Sequence, residues 1–123
     1  MRLLLDENIG IEVQKMLFEY ETKRLRDMGW LGKKNGELMK LISENNFDIF
    51  ISTDKNLPYQ QNLSKLTYGL WILDTPRNDV NTLKLFVPLI IYEIEKMKGL
   101  KPETNLKYII IEGFNTGKKK RKF

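Results

Sequence analysis

Phe47–Asn62, FDIFISTDKNLPYQQN, runs from an apolar strand into an acid, then a turn and a new helix. Phe47, Ile49, Phe50 and Ile51 form the near-continuous apolar run of a strand buried on both faces of a parallel sheet. Asp54 stands at its C-terminal end, and open parallel sheets hold ligands in the crevice beyond those ends. Asn56 is placed to cap the next helix, with Leu57 first and Pro58 in the first turn, where a missing N–H costs little. That helix is predicted over about residues 57–63. The chain's start repeats the design: Leu3-Leu4-Leu5 ends in Asp6, followed by Glu7-Asn8 and a helical pattern. Two acids are thus expected on one edge of one sheet.

Working outward, Arg2 to Asp6 is the first strand, and Ile9, Val13, Met16 and Leu17 space a helix over about 8–19. Glu21 to Arg26 is a polar strand suited to a sheet edge, and residues 27–32 form a glycine-containing loop. Asn35 is the expected N-cap of a helix with Glu37 in its first turn and Leu38, Leu41 and Ile42 on its apolar face; Glu44-Asn45-Asn46 ends it. Gly69 to Leu73 is a strand closing on Asp74. A long helix follows over about 79–98, and Pro88 should kink or split it. Gly99, Pro102 and Asn105 mark a loop, and Lys107 to Glu112 the last strand. Strand and helix alternate throughout, so the fold class is α/β with a mainly parallel sheet and right-handed crossovers.

The 123 residues suit one domain, and 30% charged with 41% hydrophobic residues is ordinary for a soluble globular chain. No apolar run reaches membrane-spanning length and no signal-peptide pattern opens the chain, so a cytoplasmic protein without a membrane partner is expected. The chain has no Cys and no His. Disulfides, thiol nucleophiles, the usual zinc sites and histidine acid–base chemistry are therefore excluded. The remaining oxygen donors suit magnesium or manganese. Of the 21 basic residues, five fall in 118–122, and the rest balance the 16 acids. The net charge of +5 thus belongs to a tail, which reads as solvated disorder or as a salt-dependent phosphate contact.

Asp6, Asp54 and Asp74 each close a strand, and Glu37 opens a helix. Carboxylates brought together repel unless a cation or protons compensate, and a divalent ion does so while activating water. The competing readings are plainer: helix capping for Asp6 and Asp54, a favourable helix end for Glu37, and turn chemistry for Asp74.

LLLDEN at the start, GWLGKKNGELM at 29–39 and FDIFISTDKNLPYQQNL at 47–63 together resemble the PIN-like domains of small toxin-type proteins, relatives of the VapC-type toxins. The likeness runs to about residue 112 and implies a PIN-like domain over 1–113, leaving 114–123 as a basic, disordered tail. It implies a three-layer α/β/α PIN-like fold and a Mg²⁺- or Mn²⁺-dependent ribonuclease, the toxin of a toxin–antitoxin pair. It also implies an RNA substrate, a cognate antitoxin and a homodimer. Carried over by motif, Asp6, Glu37 and Asp54 are the catalytic and metal-site acids, with Asp74 a further candidate ligand and Asn8, Asn35 and Asn56 as polar neighbours. Asn35 stands where many relatives have an acid. Lys33, Lys34 and Lys55 flank the expected mouth as phosphate contacts, and Tyr59, Gln60 and Gln61 are placed to meet bases or sugars. Trp30 and Trp71 read as core anchors. Two other readings stay open: an inactive PIN-like module binding nucleic acid or a partner, and a phosphoacceptor receiver domain. A receiver needs a Lys closing its last strand, and none stands there.

Overall fold

A computed structural model describes residues 1–99 and 108–113, with the backbone of 121–122. The loop residues Pro102 and Asn105, Lys107 and tail residues 114–120 and 123 lie outside the described residues. Six strands form one sheet in the order β2-β1-β3-β4-β5-β6. They are β1 (Arg2–Leu5), β2 (Glu21–Arg24), β3 (Ile49–Ser52), β4 (Gly69–Asp74), β5 (Tyr108–Glu112) and β6 (Arg121–Lys122). The first five are parallel; β6 pairs antiparallel with β5. The helices are α1 (Ile11–Met16), α2 (Leu25–Met28), α3 (Asn35–Glu44), α4 (Leu57–Gln60), α5 (Val80–Lys84) and α6 (Val87–Met97). They cover both faces of the sheet, giving the expected three-layer α/β/α fold.

Period-two alternation explains why the strands read as continuous apolar runs. Leu3, Leu5, Ile49, Ile51, Trp71, Leu73, Ile109 and Ile111 face one core, filled by Val13 of α1 and Leu83, Ile90 and Ile94 of α5 and α6. Leu4, Phe50, Leu70, Ile72 and Tyr108 face the other, against Leu25, Leu38, Ile42 and Leu57 of α2, α3 and α4. Trp71 and Trp30 are buried, one in each core, as expected of anchors.

Several boundaries differ from expectation. The first helix covers only Ile11–Met16, because Ile9 N–H bonds the Asp6 carbonyl in a tight turn first and Leu17 leaves the helical region at ψ 33°. Met16, expected inward, is 38% exposed. The fourth helix stops at Gln60, since Gln61 is extended, and Asn62 caps a separate 3-10 turn over Leu63–Lys65. Lys34, not Asn35, occupies the N-cap of α3. Pro88 does split its helix: α5 ends at Lys84 and α6 begins at Val87, with Pro88 in the first turn.

The connection from β1 to β2 and that from β4 to β5 lie on the same face but run in opposite directions across the sheet. They therefore have opposite hands. The connections from β2 to β3 and from β3 to β4 run over the other face and share the hand of the first. The connections therefore do not all share one hand, against the uniform right-handedness expected of the crossovers. Because β2 and β3 flank β1, the direction of winding reverses between β1 and β3. Open sheets of this kind bind ligands beyond the strand ends at that reversal.

Candidate functional site

The strand register brings the chain's acids to the reversal. Leu5 pairs with Ile51, and the Asp6 N–H continues the ladder to the Ile51 carbonyl at 2.9 Å. Asp6 and Asp54 both line a cavity of about 290 Å³ at this edge. Leu25, Leu38, Phe50 and Leu57 of the second core form its apolar floor; Glu7, Gly32, Lys33 and Asn35 complete the wall.

One hydroxyl ties the two aspartates together. Ser52 Oγ donates to Asp6 Oδ2 at 2.6 Å and accepts from the Asp54 N–H at 3.0 Å. Asp6 Oδ1 accepts the Glu7 N–H at 2.8 Å, so the carboxylate is held at both oxygens. Asp54 Oδ1 accepts the Asn56 N–H at 2.9 Å, while its Oδ2 accepts no hydrogen bond from the described residues. Ser52 is fully buried, lies inside the opening motif, and was not expected at the site. Its signal was a hydroxyl in an otherwise apolar strand two residues before the acid, since buried polar groups need partners.

The other expected residues are distributed more widely. Glu37 is 57% exposed on α3 and ion-pairs with Lys33 Nζ at 3.0 Å; Asp74 pairs with Lys55 Nζ at 2.6 Å. Neither acid lines the cavity. Asn35 Nδ2 donates to Gln60 Oε1 at 2.6 Å, drawing α3 and α4 together at the mouth. Asn56 occupies the N-cap of α4 without a side-chain cap bond; the Asp54 carbonyl receives the Leu57 N–H instead. Lys34 and Tyr59 are exposed. Gln61, expected on the surface, is 7% exposed and accepts from Tyr68 Oη at 3.3 Å, so it belongs to the core. Burial there raises the Tyr68 phenol well above its ordinary pKa.

Asn8 lines a second cavity of about 480 Å³, together with Arg24 and Arg26. The Asp27 carboxylate accepts from the Arg24 N–H at 2.9 Å, from Gln14 Nε2 at 2.9 Å and from Arg24 Nη2 at 3.2 Å. The backbone bond leads in holding the Asp27 carboxyl below the ordinary carboxylate range.

Chemically, the first cavity offers the carboxylates of Asp6 and Asp54, with lone pairs to spare, over an apolar floor, and Glu7 is a further acid in its wall. No group of three or more acids able to hold a metal occurs among the described residues. Mg²⁺, however, commonly keeps several waters and takes only one or two protein carboxylates beside a substrate phosphate. Asp6 and Asp54 fit a hydrated ion of that kind. The residue closing β5 is Glu112, paired in register with Asp74, so the lysine a receiver requires is absent from that strand. No helix among the described residues is long and apolar enough to cross a membrane. No family model matches the chain, and no curated protein or solved structure matches it.

Proposed function

We propose that this chain is a Mg²⁺- or Mn²⁺-dependent endoribonuclease of the PIN-like type, acting in the cytoplasm as the toxin of a toxin–antitoxin pair. The observation that carries the reading is the meeting of Asp6 and Asp54 at one cavity beyond the ends of β1 and β3, joined through Ser52. A cognate antitoxin and a second copy of the chain are the partners this reading implies.

Asp6 and Asp54 would hold the ion, Asp54 through its open Oδ2. A bound divalent ion supplies an activated water and stabilises charge on the phosphate. The protein's own part is orientation. Ser52 and the Glu7 N–H fix the Asp6 carboxylate, and the Asn56 N–H fixes that of Asp54, so little reordering is needed when a phosphate arrives. The apolar floor displaces water and strengthens each electrostatic contact above it. Glu37 and Asp74 would join only by leaving Lys33 and Lys55, exposed pairs worth about 0–1 kcal/mol each.

A manganese titration by calorimetry, paired with an RNA cleavage assay, tests this. Wild type should bind the ion and cleave. Asp6→Asn and Asp54→Asn should each lose binding and reduce cleavage by about 100-fold or more, with the fold intact by circular dichroism. Cleavage retained by both folded variants would refute the reading. The lack of a three-acid group among the described residues favours one alternative, a PIN-like module that binds RNA or a partner without cutting it. That alternative predicts RNA binding with no metal-dependent cleavage in any variant.

A further inference from the structure

We propose that the cavity beside the acidic one is a phosphate subsite for single-stranded RNA, with Arg26 as its main ligand. The proposal rests on the ribonuclease reading for its substrate class and adds where the substrate's backbone is gripped. The two cavities share Glu7 in their walls, so they are neighbours beyond the end of β1 with that acid between them. The larger holds about 480 Å³ and carries the basic side chains Arg24 and Arg26.

An acidic site repels the phosphates it must receive, so cations outside it have to hold the strand. Two of the three lysines expected at the mouth are already engaged, Lys33 by Glu37 and Lys55 by Asp74. Arg24 is committed as well: its Nη2 is on Asp27 and its Nε is buried, so it contributes charge to the wall. Arg26 differs. Its side chain is exposed, lines the cavity and makes no ion pair or hydrogen bond with the described residues. Its planar guanidinium leaves a complete fork of donors, matched to two oxygens of one phosphate. Asn8 adds an amide to the same wall. A strand with one phosphate at Asp6 and Asp54 would then lay a neighbouring phosphate on Arg26.

The test uses the full chain in EDTA, so that binding is read without metal or cleavage. Anisotropy of a short fluorescein-labelled oligouridylate is followed across a salt series. Arg26→Gln should weaken binding several-fold and flatten the log–log salt slope by about 0.7, one phosphate's share for a single strand. Arg26→Lys should keep the slope. Because the Arg26 side chain has no partner among the described residues, both variants should fold. Unchanged affinity and slope in Arg26→Gln would overturn the subsite. Competition by oligoglutamate as strong as by unlabelled oligouridylate, and equally dependent on Arg26, would reassign the cavity to an acidic peptide and also overturn it. Failure of the nuclease reading looks different: cleavage is missing or survives Asp54→Asn, while the Arg26 effect persists.

Discussion

Ser52 shows how much of a site can depend on one oxygen. Its hydroxyl is fully buried, and it is the only atom bonded both to the side chain of Asp6 and to the backbone of Asp54 among the described residues. Ser52→Ala leaves a carboxylate oxygen and an N–H without that partner, which costs about 1–3 kcal/mol. Chemical denaturation should show that loss, and calorimetry should show weaker manganese binding in the folded variant. Ser52→Thr, which keeps the hydroxyl, should recover part of both. Full stability in Ser52→Ala would mean that water replaces the hydroxyl. Asp6 and Asp54 were legible in the sequence because each follows an apolar strand. The salt bridge of Asp74 with Lys55 was not, since side-chain reach across a loop leaves no periodic mark. Lys33 and Glu37, four apart, form the one such pair that spacing could have suggested.

Among the elements, α2 and α3 end in the same way. After α3, Asn46 sits at φ 58°, its N–H bonds the Ser43 carbonyl, and the Phe47 N–H reaches back to Ile42. After α2, Gly29 sits at φ 72°, with N–H bonds from Gly29 to Arg26 and from Trp30 to Leu25. Both are left-handed endings that satisfy the last carbonyls and turn an aromatic inward. Trp30 and Phe47 then meet edge to face, ring centroids 5.9 Å apart. Asn46 is exposed, so its substitution tests backbone conformation alone. Asn46→Gly should be neutral or stabilising by up to about 1 kcal/mol, and Asn46→Ala destabilising by about 1 kcal/mol. The melting temperature of Asn46→Gly should therefore lie above that of Asn46→Ala, with wild type no higher than the glycine variant. The sequence placed the end of α3 here because Asn-Asn interrupts the apolar spacing. It placed the ends of α1 and α4 less well, since short helices are bounded by turns made from carbonyls that any residue carries.

For the whole molecule, one sheet separates two cores that share its strands. Leu4 and Leu5 are adjacent in sequence yet belong to opposite cores. Losing either layer would expose the strands that the other packs upon, so the two should unfold together. The chain carries a reporter for each: its two tryptophans are Trp71 in one core and Trp30 in the other. Fluorescence melts of Trp30→Phe and Trp71→Phe, each compared with circular dichroism of the same variant, should give coincident transitions. Separate midpoints within one variant would show that the layers melt independently. The fold class was legible because burial on both faces forces apolar residues at nearly every position of the inner strands β1, β3 and β4. The opposite hand of the connection into β5 was not, since no residue pattern records which side a chain returns on.

The sheet's two margins were described only as ends of a strand order, yet they bear on how the protein behaves at high concentration. On one side β2 presents Glu21, Lys23 and Arg24, charges that an incoming ladder would have to desolvate. On the other, the run Tyr108-Ile109-Ile110-Ile111 would be an open template for cross-β stacking, but the backbone of Arg121–Lys122 already pairs alongside it, opposite Ile109 and Ile110. Arg121–Lys122 thus serve as a selvedge, keeping one molecule's sheet from being knitted onto the next.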